Sequence, residues 1–265
     1  MRKKMFSVMG SLIVLAFAAA LIVPAVSASL LDDIIKSGKV RVAVPIDVPP
    51  FGSIGKDREV QGFDIDLANL LAKDLGVQLE LVPTTSINRV PYLITGKVDV
   101  VISTFGATPE RAKSVAFTTP YAPYFIGIFG GEDVPVKSAA ETKGYRVGVP
   151  RGTTQDMSFS EVAPKDCTII RYEDDATTFQ ALLSGQVDMI GTGNLIASTL
   201  ATKHPGKFNL KFILRLSPMH IGCRRNEADF LQWLNTFVFH HKMNGDLNKL
   251  YKKWLGEEMP ELPSF

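Results

Sequence analysis

The sequence predicts an α/β protein of two similar lobes, each built from βαβ units, joined by a hinge of two crossing strands. Three observations lead there. Short apolar runs alternate with helical patterns at the spacing of strand–helix–strand units, which implies parallel sheets. The pattern occurs twice. Lys39–Pro45 is echoed 105 residues later by Gly144–Pro150, and Leu93–Val100 is echoed 89 residues on by Leu182–Met189, in the same order. Finally, two apolar runs, Phe125–Phe129 and Met219–Cys223, stand between the halves. If the chain leaves the first lobe near residue 126 and returns near 221, residues 29–125 and 221–265 form one lobe and 126–220 the other.

Ahead of the first lobe, Arg2, Lys3 and Lys4 precede an apolar stretch, Ser11–Val23, closed by Pro24 and by Val26-Ser27-Ala28. This is the layout of a secretory signal peptide cleaved after Ala28. The apolar run is short for a bilayer span of roughly 20 residues. No Cys follows the cleavage position, so no lipid anchor is expected. Removing residues 1–28 takes three of the 29 basic residues and none of the 27 acidic ones, so the net charge moves from +2 to −1. That balance argues against nucleic acid or an anionic membrane surface as a partner. Cys167 and Cys223 both read as strand residues of distant segments and are expected to stay unpaired. The four His residues show no metal-ligand spacing, and His240 and His241 point to different faces of a helix. No metal or cofactor is expected.

Along the first lobe, Val40–Val44 is a strand. Phe63–Leu75 carries apolar residues at helical spacing (Ile65, Leu67, Leu70, Leu71, Leu75) and stops at Gly76, a glycine where a helix C-terminus needs one. Val77–Val82 is a second strand. Val98–Ser103, almost wholly apolar, reads as a strand buried on both faces. After the second crossing run come two helical patterns, Glu227–Met243 and Leu247–Leu255, split by Asn244-Gly245; they complete the first lobe.

In open parallel sheets, ligands sit beyond the carboxyl ends of the strands. The loops at those ends contain Asp47-Val48-Pro49-Pro50-Phe51, Thr84–Arg89, Ser103–Arg111, Arg151–Thr154 and Gly191–Asn194. They are rich in hydroxyls, glycines and arginines. Gly152-Thr153-Thr154 opens a helix, where free N–H groups and threonine hydroxyls offer an anion cradle. Thr108-Pro109-Glu110-Arg111 opens another, with Thr at the N-cap and Pro at the first helical position. Arg111 sits one turn in. From the residues alone it is either a fork for a carboxylate or a solvated surface charge. As a fork, it is expected to face cleft water when no ligand is bound.

From Lys39 to Leu255 the chain resembles the polar amino-acid-binding family of periplasmic solute-binding proteins, the receptors of ABC importers. The matching motifs are Val48-Pro49-Pro50-Phe51, Gly62–Leu67, Gly96-Lys97-Val98-Asp99, Thr108–Ala112, Phe117–Tyr121, Arg151–Thr154 and Trp254-Leu255-Gly256, seven in order over nearly the whole chain. The resemblance implies the two-lobed type II periplasmic-binding-protein fold. It also implies a monomer in the periplasm that binds a small amino acid or related carboxylate and hands it to an inner-membrane ABC permease. Arg111 would bind the ligand α-carboxylate, with backbone and hydroxyl groups of Thr104, Gly106 and Thr154 assisting and the Phe51 ring packing on the ligand. Asp64 and Asp66 read as structural. Thr85–Arg89 resembles the loop of glutamate/aspartate-binding members, so Ser86 and Arg89 would face the ligand side chain, with Arg89 meeting a second carboxylate or turning outward. One position departs. The family carries an ammonium-accepting Asp at 193, where this chain has Gly193. Asn194 and Thr192 are neutral substitutes. A buried ammonium without an anion is costly, so either another acid fills the role or the ligand is not an ordinary α-amino acid.

Two other classes compete. Related folds include a cyclohexadienyl-dehydratase-like lyase acting on a small carboxylic acid; Asp47 and Asp174 are the candidate general acids. No Ser-His-Asp, Cys-His or metal constellation supports an enzyme. A sensory domain would need an internal membrane span, which the sequence lacks.

Overall fold

A computed structural model describes residues 29–262; the predicted leader lies outside the described residues. Two five-stranded sheets organise the chain. The first uses β1 (Lys39–Val44), β5 (Gln78–Pro83), β6 (Val100–Val101), β7 (Val115–Ala122) and β13 (Met219–Arg224) in the order β5-β1-β6-β13-β7. The second uses β8 (Phe125–Gly130), β9 (Arg146–Pro150), β10 (Thr168–Tyr172), β11 (Met189–Gly193) and β12 (Asn209–Leu216) in the order β10-β9-β11-β8-β12. In each sheet three strands pair in parallel and two more are added by antiparallel pairing, so one strand runs against the other four. Sheet membership changes twice, between β7 and β8 at 123–124 and between β12 and β13 at 217–218. The two crossings are tied by Ser217 N donating to the Tyr124 carbonyl at 2.9 Å. A small sheet of β2 (Asp47–Val48), β3 (Gly52–Ile54) and β4 (Val60–Gln61) follows β1.

The sequence echo has a physical basis. Arg41 on β1 donates from Nη2 to Asp99 Oδ1 at 2.6 Å and from its amide to Asp99 Oδ2 at 2.9 Å. Arg146 on β9 grips Asp188 in the same way, at 2.6 Å and 2.8 Å. Each arginine also donates to the carbonyl of a positive-φ glycine three residues before its aspartate, Gly96 or Gly185. In both lobes the first strand is thus clamped to the turn that leads into the third. These clasps fix the β-α-β unit, and the residue types they need are the ones that repeat.

The helix over Phe63–Leu75 forms as expected (α2), and Gly76 takes the left-handed conformation at φ 68°. Its start requires glycine as well. Gly62 has φ 150°, and a Cβ there would lie 2.1 Å from the Phe51 carbonyl oxygen. The strand expected over Val98–Ser103 keeps only two ladder residues, although 98–103 is wholly buried. α8 (Ala228–Met243) and α9 (Asp246–Leu255) close the first lobe. Trp254 Nε1 and Lys253 Nζ both donate to Asp66 Oδ2 at 2.6 Å, which ties α9 to α2. The His241 ring lies between the Asp74 and Asp246 carboxylates, while His240 is exposed. Cys167 and Cys223 form no disulfide. Cys223 is a β13 residue, but Cys167 falls in a bend just before β10, outside the strand expected for it.

The remaining helices pack around the two sheets. α1 (Leu30–Ser37) packs on the first lobe, whose loops also carry α3 (Arg89–Ile94) and α4 (Pro109–Ala112). α5 (Thr154–Val162), α6 (Asp175–Leu183) and α7 (Asn194–Lys203) belong to the second sheet. No helix among the described residues is long and apolar enough to cross a membrane.

Candidate functional site

The carboxyl ends of the parallel strands face each other across the cleft, and the two lobes touch there. Arg111 is the main bridge. Thr108 caps α4 by accepting from Arg111 N at 3.1 Å, and this fixes where the arginine leaves the helix. Its guanidinium then donates from Nη1 to the Gly106 carbonyl at 2.6 Å and from Nη2 to the Gly152 carbonyl of the opposite lobe at 2.7 Å. It also lies 5.0 Å over the Phe105 ring. The expectation of a side chain in open cleft water is therefore corrected: Arg111 is 8 % exposed, because the lobes close over it. Burial, then the charges of Arg89 and Arg215, lower its guanidinium to about 9. Such a group is short of negative charge.

Arg89 opens α3 and is 4 % exposed. It faces inward, donating from Nε to Ser103 Oγ at 3.3 Å and from Nη2 to Thr104 Oγ1 at 3.2 Å. Its guanidinium is lowered by burial and sustained by the fields of Asp175, Asp47 and Asp64. Among the described residues, neither Arg89 nor Arg111 has a carboxylate within ion-pair distance. Among the described residues, the buried hydroxyls of Ser86, three residues before Arg89, and of Thr192 on β11 have no hydrogen-bond partner.

Thr104 holds a positive φ of 44°, a conformation that L-residues adopt only under constraint. The constraint is Asp64, whose carboxylate accepts from Thr104 N at 2.9 Å and from Tyr121 Oη at 2.8 Å. Burial raises Asp64 to about 7 against the pull of those two donors and of Arg89. Gly106 allows the lobes to meet: a Cβ there would lie 2.6 Å from Ser217 Oγ and 2.8 Å from Thr154 Cγ2. Thr154 accepts from Ser217 Oγ at 3.3 Å.

Three expected residues are engaged elsewhere. Thr153 caps α5, accepting from Asp156 N at 3.1 Å and donating to the Pro150 carbonyl at 2.7 Å. The Gly152 amide already donates to Asp156 Oδ2 at 3.1 Å, so the cradle at this helix start holds an internal acid. Asn194 accepts from Phe125 N at 3.0 Å and so supports the first crossing strand. Phe51 is fully buried, edge-on to Phe63 and Tyr124 with ring centroids 6.0 Å away in each case.

Two groups in the cleft escape sequence reasoning. Asp175, the first residue of α6, is 5 % exposed, and its amide donates across the lobes to Asp47 Oδ2 at 3.2 Å. Burial and then the Asp47 charge raise its carboxyl to about 7, against Arg89. Asp47 is raised as well, chiefly by burial. Tyr124, on the first crossing, lays its ring against Gly193, where a Cβ would fall 1.7 Å from the phenol oxygen. The signal for Asp175 was present but ambiguous, because Glu173-Asp174-Asp175 offers three acids and only Asp174 is the helix cap.

A family model described as bacterial extracellular solute-binding proteins, family 3, matches residues 40–257. The chain is 29 % identical over 233 residues to the L-cystine-binding protein TcyJ of Escherichia coli, a match covering 87 % of each chain. Among solved structures, it is similar to a solute receptor for L-cysteine of Neisseria gonorrhoeae: TM-score 0.80, 32 % identity, 86 % of this chain and 94 % of that one. It is also similar to an ancestral amino acid-binding protein described as a precursor of cyclohexadienyl dehydratase: TM-score 0.78, 36 % identity, 86 % of this chain and 100 % of that one.

Proposed function

Because this chain belongs to the bacterial extracellular solute-binding proteins, family 3, we propose that it captures one amino acid between its lobes and delivers it to the permease of an ABC importer. On this reading it works in the periplasm as a monomer, without a cofactor and without catalysis. Its lobes are residues 29–125 with 221–265, and 126–220, hinged where β7 passes to β8 and β12 to β13.

The observation that carries the reading is the pair of buried arginines, Arg89 and Arg111, with no carboxylate in ion-pair range among the described residues. A desolvated guanidinium without an anion is unfavourable, and a ligand carboxylate supplies one. Arg111 is the better placed, since its two nitrogens address both lobes. A carboxylate that replaces the Gly106 and Gly152 carbonyls bonds more strongly and holds the lobes together. Closure around the ligand follows, because the ligand touches both lobes only when they are shut.

A ligand with an acidic side chain fits less well than a neutral or basic one. Arg89 stands in the field of three acids, Asp175, Asp47 and Asp64. A second ligand carboxylate would meet those same charges. The names of the similar proteins, which bind cystine and cysteine, point to the same class. The lyase reading has weaker support, because Asp47 accepts from Asp175 N and Asp174 caps α6.

A melting screen with L-cystine, L-cysteine, L-glutamine, L-arginine, L-histidine, L-glutamate and L-aspartate tests the proposal. A ligand at a hundred times its Kd stabilises by about 2.7 kcal/mol. For a chain of this size that is a rise of roughly 5–10 °C. The expected result is such a rise with a neutral or basic member and recovery of the ligand unchanged. No shift with any member would overturn the reading, and product formation would replace it with the lyase.

A further inference from the structure

An amino acid held by its carboxylate on Arg111 still has an ammonium group to place. Position 193 cannot receive it. Gly193 has no side chain, and the Tyr124 ring occupies the space in which one would stand, with Cζ and the phenol oxygen each 1.7 Å from a built Cβ. The neighbouring candidates are already engaged with protein donors or are neutral. Asn194 Oδ1 accepts from Phe125 N. Both Asp64 oxygens accept, one from Thr104 N and one from Tyr121 Oη. Asp47 Oδ2 accepts from Asp175 N. Thr192 offers only a neutral hydroxyl.

Asp175 differs from all of these. It is nine-tenths buried, and among the described residues its carboxylate makes no hydrogen bond and no ion pair. Its backbone amide is pinned to the opposite lobe through Asp47, so the residue is held at the lobe junction. The Tyr124 side chain is largely buried too, lies within the field of Asp175, and its hydroxyl makes no hydrogen bond among the described residues. A carboxylate and a phenol on largely buried side chains, each without a protein partner, gain from a shared donor. One ammonium, with three donors, satisfies both.

We infer that Asp175, with the Tyr124 hydroxyl, accepts the ammonium group of the bound amino acid, in place of a side chain at position 193. The inference rests on the proposed function and narrows it: the ligand must carry both a carboxylate and an amine. Zwitterionic α-amino acids bind; the same molecules without the amine, and simple dicarboxylates, do not.

The test uses the full mature chain and calorimetry with three pairs of probes: L-cysteine and 3-mercaptopropionate, L-glutamine and 4-carbamoylbutanoate, L-arginine and 5-guanidinopentanoate. The wild type is expected to bind at least one amino acid about a hundredfold more tightly than its des-amino partner. Asp175→Asn is expected to weaken that amino acid by about a hundredfold, while the des-amino probe changes less than about threefold. Asp175→Glu is expected to recover part of the loss, and Tyr124→Phe to lose about tenfold. A folded Asp175→Asn protein with near wild-type affinity for the amino acid would overturn the inference. If that variant does not fold, the wild-type preference and the Tyr124→Phe loss decide it: equal wild-type binding of amino acid and des-amino probe overturns it, and leaves a carboxylate-binding protein intact. No binding of any probe by the wild type overturns the proposed function, and the inference with it.

Discussion

Replacing Arg111 by alanine removes three interactions at once. Two are charge-assisted hydrogen bonds, to the Gly106 carbonyl at 2.6 Å and the Gly152 carbonyl at 2.7 Å. The third is the cation over the Phe105 ring at 5.0 Å. For a bound carboxylate the loss is larger than any of these, because the remaining anion would be buried without its partner. Breaking a buried pair in this way costs about 3–5 kcal/mol, a fall in affinity of roughly a hundredfold to a few thousandfold. The two nitrogens reach different lobes, so lysine, with one ammonium, can serve only one of them. Arg111→Lys is therefore expected to regain only part of the loss. Without ligand, Arg111→Ala also removes a bridge between the lobes, and the balance should move toward an open form. Calorimetry reads the affinities, and small-angle scattering reads the compactness. Wild-type affinity in Arg111→Ala would refute the reasoning, because the carboxylate would then be held elsewhere.

Three further outcomes follow from the geometry. Gly193→Asp forces a side chain into the Tyr124 ring and should destabilise the fold by about 1–3 kcal/mol or more; Tyr124→Ala in the same chain should relieve much of that, as read by urea unfolding. Gly106→Ala places a methyl group 2.6 Å from Ser217 Oγ and 2.8 Å from Thr154 Cγ2; it should loosen the lobe junction, impede closure and weaken ligand binding by about tenfold, as read by small-angle scattering and calorimetry. Asp64 and Asp175 are each raised to about 7, so over pH 4 to 7 the folded protein holds protons that the unfolded chain has released. Their contribution is present below the unfolded value and lost as pH rises through about 7. The unliganded melting temperature should fall between pH 5 and 7.5, and the fall should be shallower in Asp175→Asn.

Much of the fold was legible because local chemistry demanded particular residues at particular spacings. The Arg–Asp clasps required the same residue types in both lobes, and their recurrence exposed the duplication. Gly76 and Thr108-Pro109 marked helix ends for reasons confined to one turn of chain. In the site, Arg111, Arg89, Ser86, Thr104, Gly106 and Thr154 come together at the lobe junction. The others are engaged elsewhere, Thr153 locally as a helix cap and Asn194 with a distant partner that no spacing reveals. Asn194 turns to Phe125, and Thr153 to its own helix start. Tyr124 fits against Gly193 because a side chain is missing there, a complementarity between residues 69 apart in sequence. Asp175 hid among three consecutive acids; only the helix register separates the cap, Asp174, from the acid that faces the cleft.

The most direct measurement is a crystal structure of the protein with whichever amino acid of the panel gives the largest melting shift. The account predicts closed lobes with the ligand carboxylate in hydrogen-bond contact with Arg111 and the ammonium group turned to Asp175. A ligand seated outside the cleft, or one in the cleft with its carboxylate away from Arg111, would contradict it.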